Sequence, residues 1–167
     1  MNNRQSLYLL WATILNQSQS AEIVLKNTFE LFKRLNLLSN FNKEYKNLDY
    51  ENIEKGITTK PCLHRFPRNM SMNIWYSVYI INEKYKGNPK EVFAKPNGSD
   101  DVKSRLMEFR GIGEHKADTA IIILKIYEES KGFNSVFDAK CMELYKTIGQ
   151  EIQILDKLGD VELDYDR

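Results

Sequence analysis

Apolar residues recur along this chain at helical spacing, and alternation of the strand type is scarce. A first helix is predicted over Leu7 to Gln17, where a nearly unbroken apolar run extends to Leu15. The second runs from Ser20 to Leu35, with Val24, Thr28, Leu31 and Leu35 on one stripe and Ser20 placed to cap its start. Asp49 to Lys55 reads as a short third, stopped by Gly56. Two prolines then discourage regular structure across the basic stretch from Pro61 to Pro67. Ile74, Val78, Ile81 and Tyr85 define a strong helix that Gly87-Asn88-Pro89 ends. After a loop through Pro96 to Ser99, Asp100 or Asp101 is placed to cap a helix carrying Val102, Leu106 and Phe109. Another opens at Gly113 and turns Ala117, Ile121 and Leu124 to one side, with Ala120 small enough for close packing. Lys131 to Asn134 reads as a loop, Ser135 to Asp138 as extended, and Ala139 to Thr147 as a last helix. No internal repeat or strand pair emerges, so the expected fold is all-α, a compact helical bundle.

The stretch Phe109-Arg110-Gly111-Ile112-Gly113-Glu114-His115 joins two of those helices by a tight corner. Gly111 ends the first because glycine tolerates the positive φ that stops a helix. Ile112 is then placed to plug the cleft between the two. Amides at the glycine-rich start of the second have no helical acceptor, point outward and favour anions, so a phosphate can sit there. Residues 102–127 in this way resemble the helix-hairpin-helix of DNA-binding proteins. Gly-x-Gly also serves ordinary corners between packed helices, and the hairpin alone does not separate the two readings.

At 167 residues and 42% hydrophobic content, the chain suffices for one helical domain with a real core, or for two small lobes. Its formal net charge of +1 supplies no bulk attraction for nucleic acid, so any positive face must be local. Two cysteines, Cys62 and Cys141, are too few for a disulfide framework, a closed zinc site or an all-cysteine iron–sulfur cluster within this chain. They point to a reducing compartment, and a cytoplasmic, nucleoid or nuclear monomer is expected. Arg4 ahead of Leu7 to Leu15, with Ser18-Gln19-Ser20 beyond, imitates a short secretory signal. The run is too short to span a bilayer and continues into another amphipathic segment, as a buried helix would, so no membrane association is expected.

The order of segments adds a second layer. Leu15-Asn16-Gln17-Ser18-Gln19-Ser20 looks like the glutamine-bearing segment of endonuclease III and adenine-mismatch glycosylases, and Val136-Phe137-Asp138-Ala139-Lys140 looks like their aspartate loop. With the hairpin between them, the chain from about Leu7 to Gly149 resembles the helix-hairpin-helix DNA glycosylase superfamily. The resemblance implies a glycosylase-like fold, double-stranded DNA as partner and a role in base-excision repair. Asp138 would be the catalytic carboxylate, stabilising positive charge on deoxyribose as a base leaves, or preparing a nucleophile. By residue type it also suits the cap of the helix that follows, and its place after the hairpin favours catalysis. A base inside a duplex must be flipped out before it can be cut, and Gln17 would fill the gap with Asn16 or Gln19 nearby. Read by residue type alone, Gln17 is a solvated amide at a helix end.

The departures are as informative. Family members that also cut the backbone carry a lysine in the second hairpin helix, which attacks the sugar. His115 stands at that position. Lys116 is one step on, turned by about 100° to a different face, so a lyase reaction is not expected. His115 can contact a phosphate, polarise a water or cap exposed backbone. Ala12 stands where adenine-mismatch enzymes carry a catalytic glutamate, so adenine excision by that mechanism is not expected. The sequence given stops at Arg167 without the C-terminal extension and four-cysteine cluster of endonuclease III, and no cofactor is expected. The implied activity is monofunctional hydrolysis of the N-glycosidic bond of a damaged or mispaired base. Its alternatives are an inactive relative that binds DNA and a module that uses the hairpin for protein contacts.

Gly111, Ile112, Gly113, Glu114 and His115 would hold the DNA backbone. Glu114 and Asp118 suit the positive end of a helix dipole but oppose a phosphate unless they turn away. Arg110, Lys116 and the stretch His64-Arg65 with Arg68 must then supply the attraction. Neither histidine lies in a zinc-type repeat, and no metal site is expected. Trp75, Tyr76 and Tyr79 are expected in the core, Phe66 is a candidate intercalating wedge, and Asp160 to Asp166 reads as a solvated tail.

Overall fold

A computed structural model of the chain describes residues 2–95 and 98–129. Their regular structure is helical, as the spacing predicts: α1 (Asn3–Leu15), α2 (Ala21–Arg34), α3 (Phe41–Lys46), α4 (Tyr50–Thr58), α5 (Pro67–Lys84), a 3-10 turn (Pro89–Phe93), α6 (Ser99–Leu106) and α7 (Glu114–Glu129). The loop, extended run and helix predicted from Lys131 onward lie outside the described residues.

The first helix is the centre of the molecule. Every residue from Arg4 to Leu15 is buried, as befits a segment with apolar side chains on all sides. It is walled by α2, α5, α7 and the 3-10 turn. A reciprocal cap, in which Asn2 and Gln5 each take the other's backbone N–H at 2.8 Å, starts it earlier than its apolar run predicts. It ends at Leu15, so Asn16 and Gln17 fall outside the helix. Trp11 Nε1 donates to Ser77 Oγ of α5 at 3.0 Å, and Tyr8 donates to the Leu25 carbonyl of α2 at 3.1 Å. Both rings meet Phe32 of α2 edge-on, so Tyr8 joins α2 by a polar tie and by packing, while Trp11 packs on α2 and bonds to α5. Arg4 is carried inside, where it donates to the Leu37 carbonyl at 3.0 Å and lies over the Phe41 ring.

Serine 20 caps α2 as predicted, and Val24, Thr28, Leu31 and Leu35 are all buried. The predicted stop at Gly56 is corrected, because α4 continues through it to Thr58. A Cβ at Gly56 would lie 2.9 Å from Leu31 Cδ1, so this glycine permits close approach of α2 rather than ending a helix. The helix α3 is not visible in the spacing. Its six residues present only Phe41 and Tyr45 to the core, too few to reveal a period.

Two boundaries of α6 also differ from expectation. Gly98, at φ +110°, precedes it, and Asp100 and Asp101 sit in its first turn without capping it. It stops at Leu106, and Phe109 is held in the following turn, buried and stacked on Tyr85. Ala117, Ala120, Ile121 and Leu124 bring α7 against the core as predicted. No described helix is long and apolar enough to cross a membrane.

Candidate nucleic-acid interface

The corner between α6 and α7 is built around Gly111. Its φ is +88°, and a Cβ there would lie 2.6 Å from Nδ2 of the buried Asn73 on α5. Conformation and space therefore both call for glycine. Asn73 carried no signal in the sequence reading. Its Oδ1 is buried without a hydrogen-bond partner among the described residues. Ile112 closes the cleft as predicted and is 5% exposed, so only its backbone can meet a ligand. Gly113 has open space where a Cβ would project.

Helix α7 opens at Glu114, and its first backbone bond runs from Ala117 N–H to Gly113 O at 3.0 Å. The amides ahead of Ala117 have no acceptor within the helix and stand at the positive end of its dipole. The two carboxylates that would oppose an anion there are engaged elsewhere. Lys103 of α6 reaches Asp118 at 2.8 Å and Glu114 at 3.0 Å. Those hydrogen bonds raise the pKa of Lys103 and keep it charged. This three-residue bridge was not anticipated, because its partners lie on different helices and only the tertiary corner brings them together.

Lys116 and His115 face different ways, as their 100° separation requires. His115 is exposed, whereas Lys116 is half-buried and its ammonium donates to the Ile14 carbonyl at 3.0 Å. Burial lowers the pKa of Lys116. Beside it lies a small cavity of about 40 Å³ bounded by Ala12, Thr13, Asn16, Thr119 and Ile123. Lys116 is thus a tie between α7 and the end of α1, and the expectation that it supplies free positive charge is corrected.

His64 requires the same correction. It is 3% exposed, with Nε2 3.1 Å from the Leu15 carbonyl and Nδ1 accepting from Phe66 N–H at 3.0 Å. Burial, reinforced by the Lys116 ammonium, lowers its pKa below the usual imidazole value. His64 is a neutral internal strut and adds no charge to the basic stretch. Arg65, Arg68 and Arg110 are exposed and join no ion pair among the described residues. The Arg65 guanidinium lies over the Phe66 ring, 5.5 Å from its centroid, and Phe66 is 41% exposed.

Gln17 is exposed in the turn between α1 and α2, which Ser18 bends with φ +58°. It lies two residues beyond Leu15, whose carbonyl, with that of Ile14, is held by His64 and Lys116. The Gln17 turn, the Arg65–Phe66 loop and the start of α7 therefore converge on one end of α1. Asp138 lies outside the described residues.

The aromatic residues of α5 divide against expectation. Trp75 is partly buried, but Tyr76 and Tyr79 are 39% and 50% exposed and stack on each other with centroids 6.0 Å apart. Core packing is taken by Met70, Ile74, Val78 and Ile81 on the opposite side of the helix. A separate polar cleft of about 480 Å³ lies among α2, α3 and α4. Arg34 at its wall is committed to Glu30 and to the carbonyls of Gly56, Thr59 and Pro61. Among the described residues, no three histidine, cysteine or carboxylate side chains gather as a metal site requires. Compared with known proteins, the chain matches no family model, no curated protein and no solved structure.

Proposed function

We propose that this chain is a helix-hairpin-helix DNA-binding protein of the base-excision-repair type, acting as a monofunctional N-glycosylase with Asp138 as its catalytic carboxylate. The observation that carries the reading is convergence. Segments singled out separately in the sequence are tied together by Lys116 to Ile14 and His64 to Leu15, contacts spanning 102 and 49 residues. Chance placement on an all-helical surface does not require those segments to meet.

In this reading the amides of Gly113, Glu114 and His115 take a backbone phosphate, and Lys103 keeps Glu114 and Asp118 from competing with it. Arg110, Arg65 and Arg68 add local positive charge that the net charge of +1 conceals. Gln17, beside the Arg65–Phe66 loop, enters the gap left by a flipped base. Asp138 stabilises the positive charge that grows on the sugar as water replaces the base at the anomeric carbon. Lys116, engaged by a carbonyl and half-buried, does not serve as a Schiff-base nucleophile.

A second reading is a DNA-binding relative without catalysis, and the cavity among the described residues beside Lys116 is compatible with it. The cavity beside Lys116 is about 40 Å³, room for no more than a few waters. A nucleobase does not fit there. The readings part on a panel of duplexes bearing uracil, alkylated or oxidised bases. A glycosylase leaves abasic sites on one of them, and Asp138→Asn abolishes turnover while retaining affinity. Equal turnover by that variant removes Asp138 from the mechanism. Salt-sensitive duplex binding with no lesion processed establishes the non-catalytic reading instead.

A further inference from the structure

Helix α1 ends where three segments meet, and its Ile14 and Leu15 carbonyls are each held by a side chain from elsewhere. Lys116 donates to Ile14 O at 3.0 Å, and His64 Nε2 stands 3.1 Å from Leu15 O. The other ring nitrogen accepts from Phe66 N–H at 3.0 Å. An amide can only donate, so Nδ1 carries no proton; a carbonyl can only accept, so Nε2 carries one. The two bonds together define a neutral ring in a single tautomer.

We propose that His64 and Lys116 are positioning residues, a two-point clamp on the end of α1 that sets the Gln17 turn and Phe66 against the start of α7, and that His64 works only as the neutral Nε2–H imidazole. The use of the clamped face rests on the DNA-binding reading, whereas the clamp itself is a property of the free protein.

The surroundings of the ring oppose a second proton. From α7 it is faced by the Lys116 ammonium, which opposes a further charge, whereas the carbonyls of Leu15 at the end of α1 and of Gln17 in the turn beyond it favour one, and burial outweighs them. On its own loop, Arg65 is turned onto the Phe66 ring, and the Cys62 thiol donates to the His64 carbonyl at 3.3 Å. From α2, the Asn27 amide goes to Leu63 O. Burial and the Lys116 charge lower the imidazole pKa accordingly. A proton at Nδ1 turns an acceptor into a donor that confronts the Phe66 N–H. The Phe66 amide then loses its acceptor and the loop bearing Arg65 and Phe66 shifts, while Nε2–H still donates to Leu15 O.

The test is nitrogen-15 NMR of the histidine rings in the full chain, titrated from about pH 8 to about pH 5. The amides of Gln17 and Phe66 and the affinity for duplex DNA are followed over the same range. The clamp requires an Nε2–H tautomer for His64, a midpoint below 6.5, and amide shifts at Gln17 and Phe66 with that same midpoint. Duplex affinity should fall about tenfold across it. His64→Gln retains a donor for Leu15 and gains no proton, so its binding at neutral pH is kept and its acid sensitivity lost. Lys116→Met should move the Gln17 amide without changing the His64 tautomer. An Nδ1–H tautomer, or Gln17 and Phe66 amides that ignore the titration of the ring, overturns the clamp whether or not DNA binds. Ring and amides behaving as stated in a protein that binds no duplex at low salt support the clamp and overturn the DNA-binding reading.

Discussion

The end of α1 and the start of α7 are neighbours finished in opposite ways. At α1, carbonyls that a helix leaves without partners are closed by Lys116 and His64 from inside the protein. At α7, the leading amides stay open, and the two nearby carboxylates are drawn aside by Lys103. The same chain thus uses basic side chains to seal one helix end and to clear another. A lysine or histidine near a helix terminus is therefore no measure of attraction for a ligand. Of the basic residues in this neighbourhood, Lys103, Lys116 and His64 are engaged within the fold, and Arg65, Arg68, Arg110 and His115 face solvent.

The contrast breaks most severely at Gly111. Gly111→Ala forces a left-handed conformation on a side chain and drives its Cβ toward Asn73, a destabilisation of about 2 kcal/mol that a urea midpoint would register. An unchanged midpoint would show that the corner does not depend on that conformation.

Acid should weaken the sealed end next. The His64 pKa is lowered in the fold, so the unfolded chain binds a proton that the native ring resists. Its contribution to stability is complete above the unfolded value of 6.5 and is lost as pH falls through the lower folded value. Urea midpoints of the wild type and His64→Gln should diverge across that window, with the wild type declining more. Parallel curves would mean that His64 does not carry the pH dependence.

Clearing of the open end is tested by Lys103→Met. The pairs with Glu114 and Asp118 are largely solvent-exposed on the carboxylate side, so stability should hardly move. Duplex affinity should fall roughly threefold as the freed carboxylates compete for the helix start. A rise in affinity would show that they do not face the bound anion.

Most long helices were legible because they carry their own period, and α1 because its apolar run is nearly unbroken. The stripe of α2 from Val24 to Leu35 and the inner face of α5 from Ile74 to Ile81 need no tertiary information. Gly56 was misread because a glycine that ends a helix and one that admits a neighbouring helix look alike until the neighbour is known. The candidate site was legible in its backbone and misread in its charges. Gly111-Ile112-Gly113 announces a corner locally, whereas the fates of His64, Lys103 and Lys116 depend on partners up to 102 residues away. Tyr76 and Tyr79 show the same limit, since a helix rich in apolar residues does not declare which side stays wet.

The open end of α7 is tested most directly by Gly113→Ala. A Cβ at this position meets nothing within 4 Å, so the variant should fold as the wild type does. The added methyl would stand where a phosphate must approach the amides. The measurement is duplex affinity as a function of salt for wild type and variant, beside their urea midpoints. The account predicts equal midpoints, salt-sensitive binding by the wild type, and a loss of about fivefold or more in the variant at low salt. Equal affinity and equal salt dependence of the two proteins would contradict it.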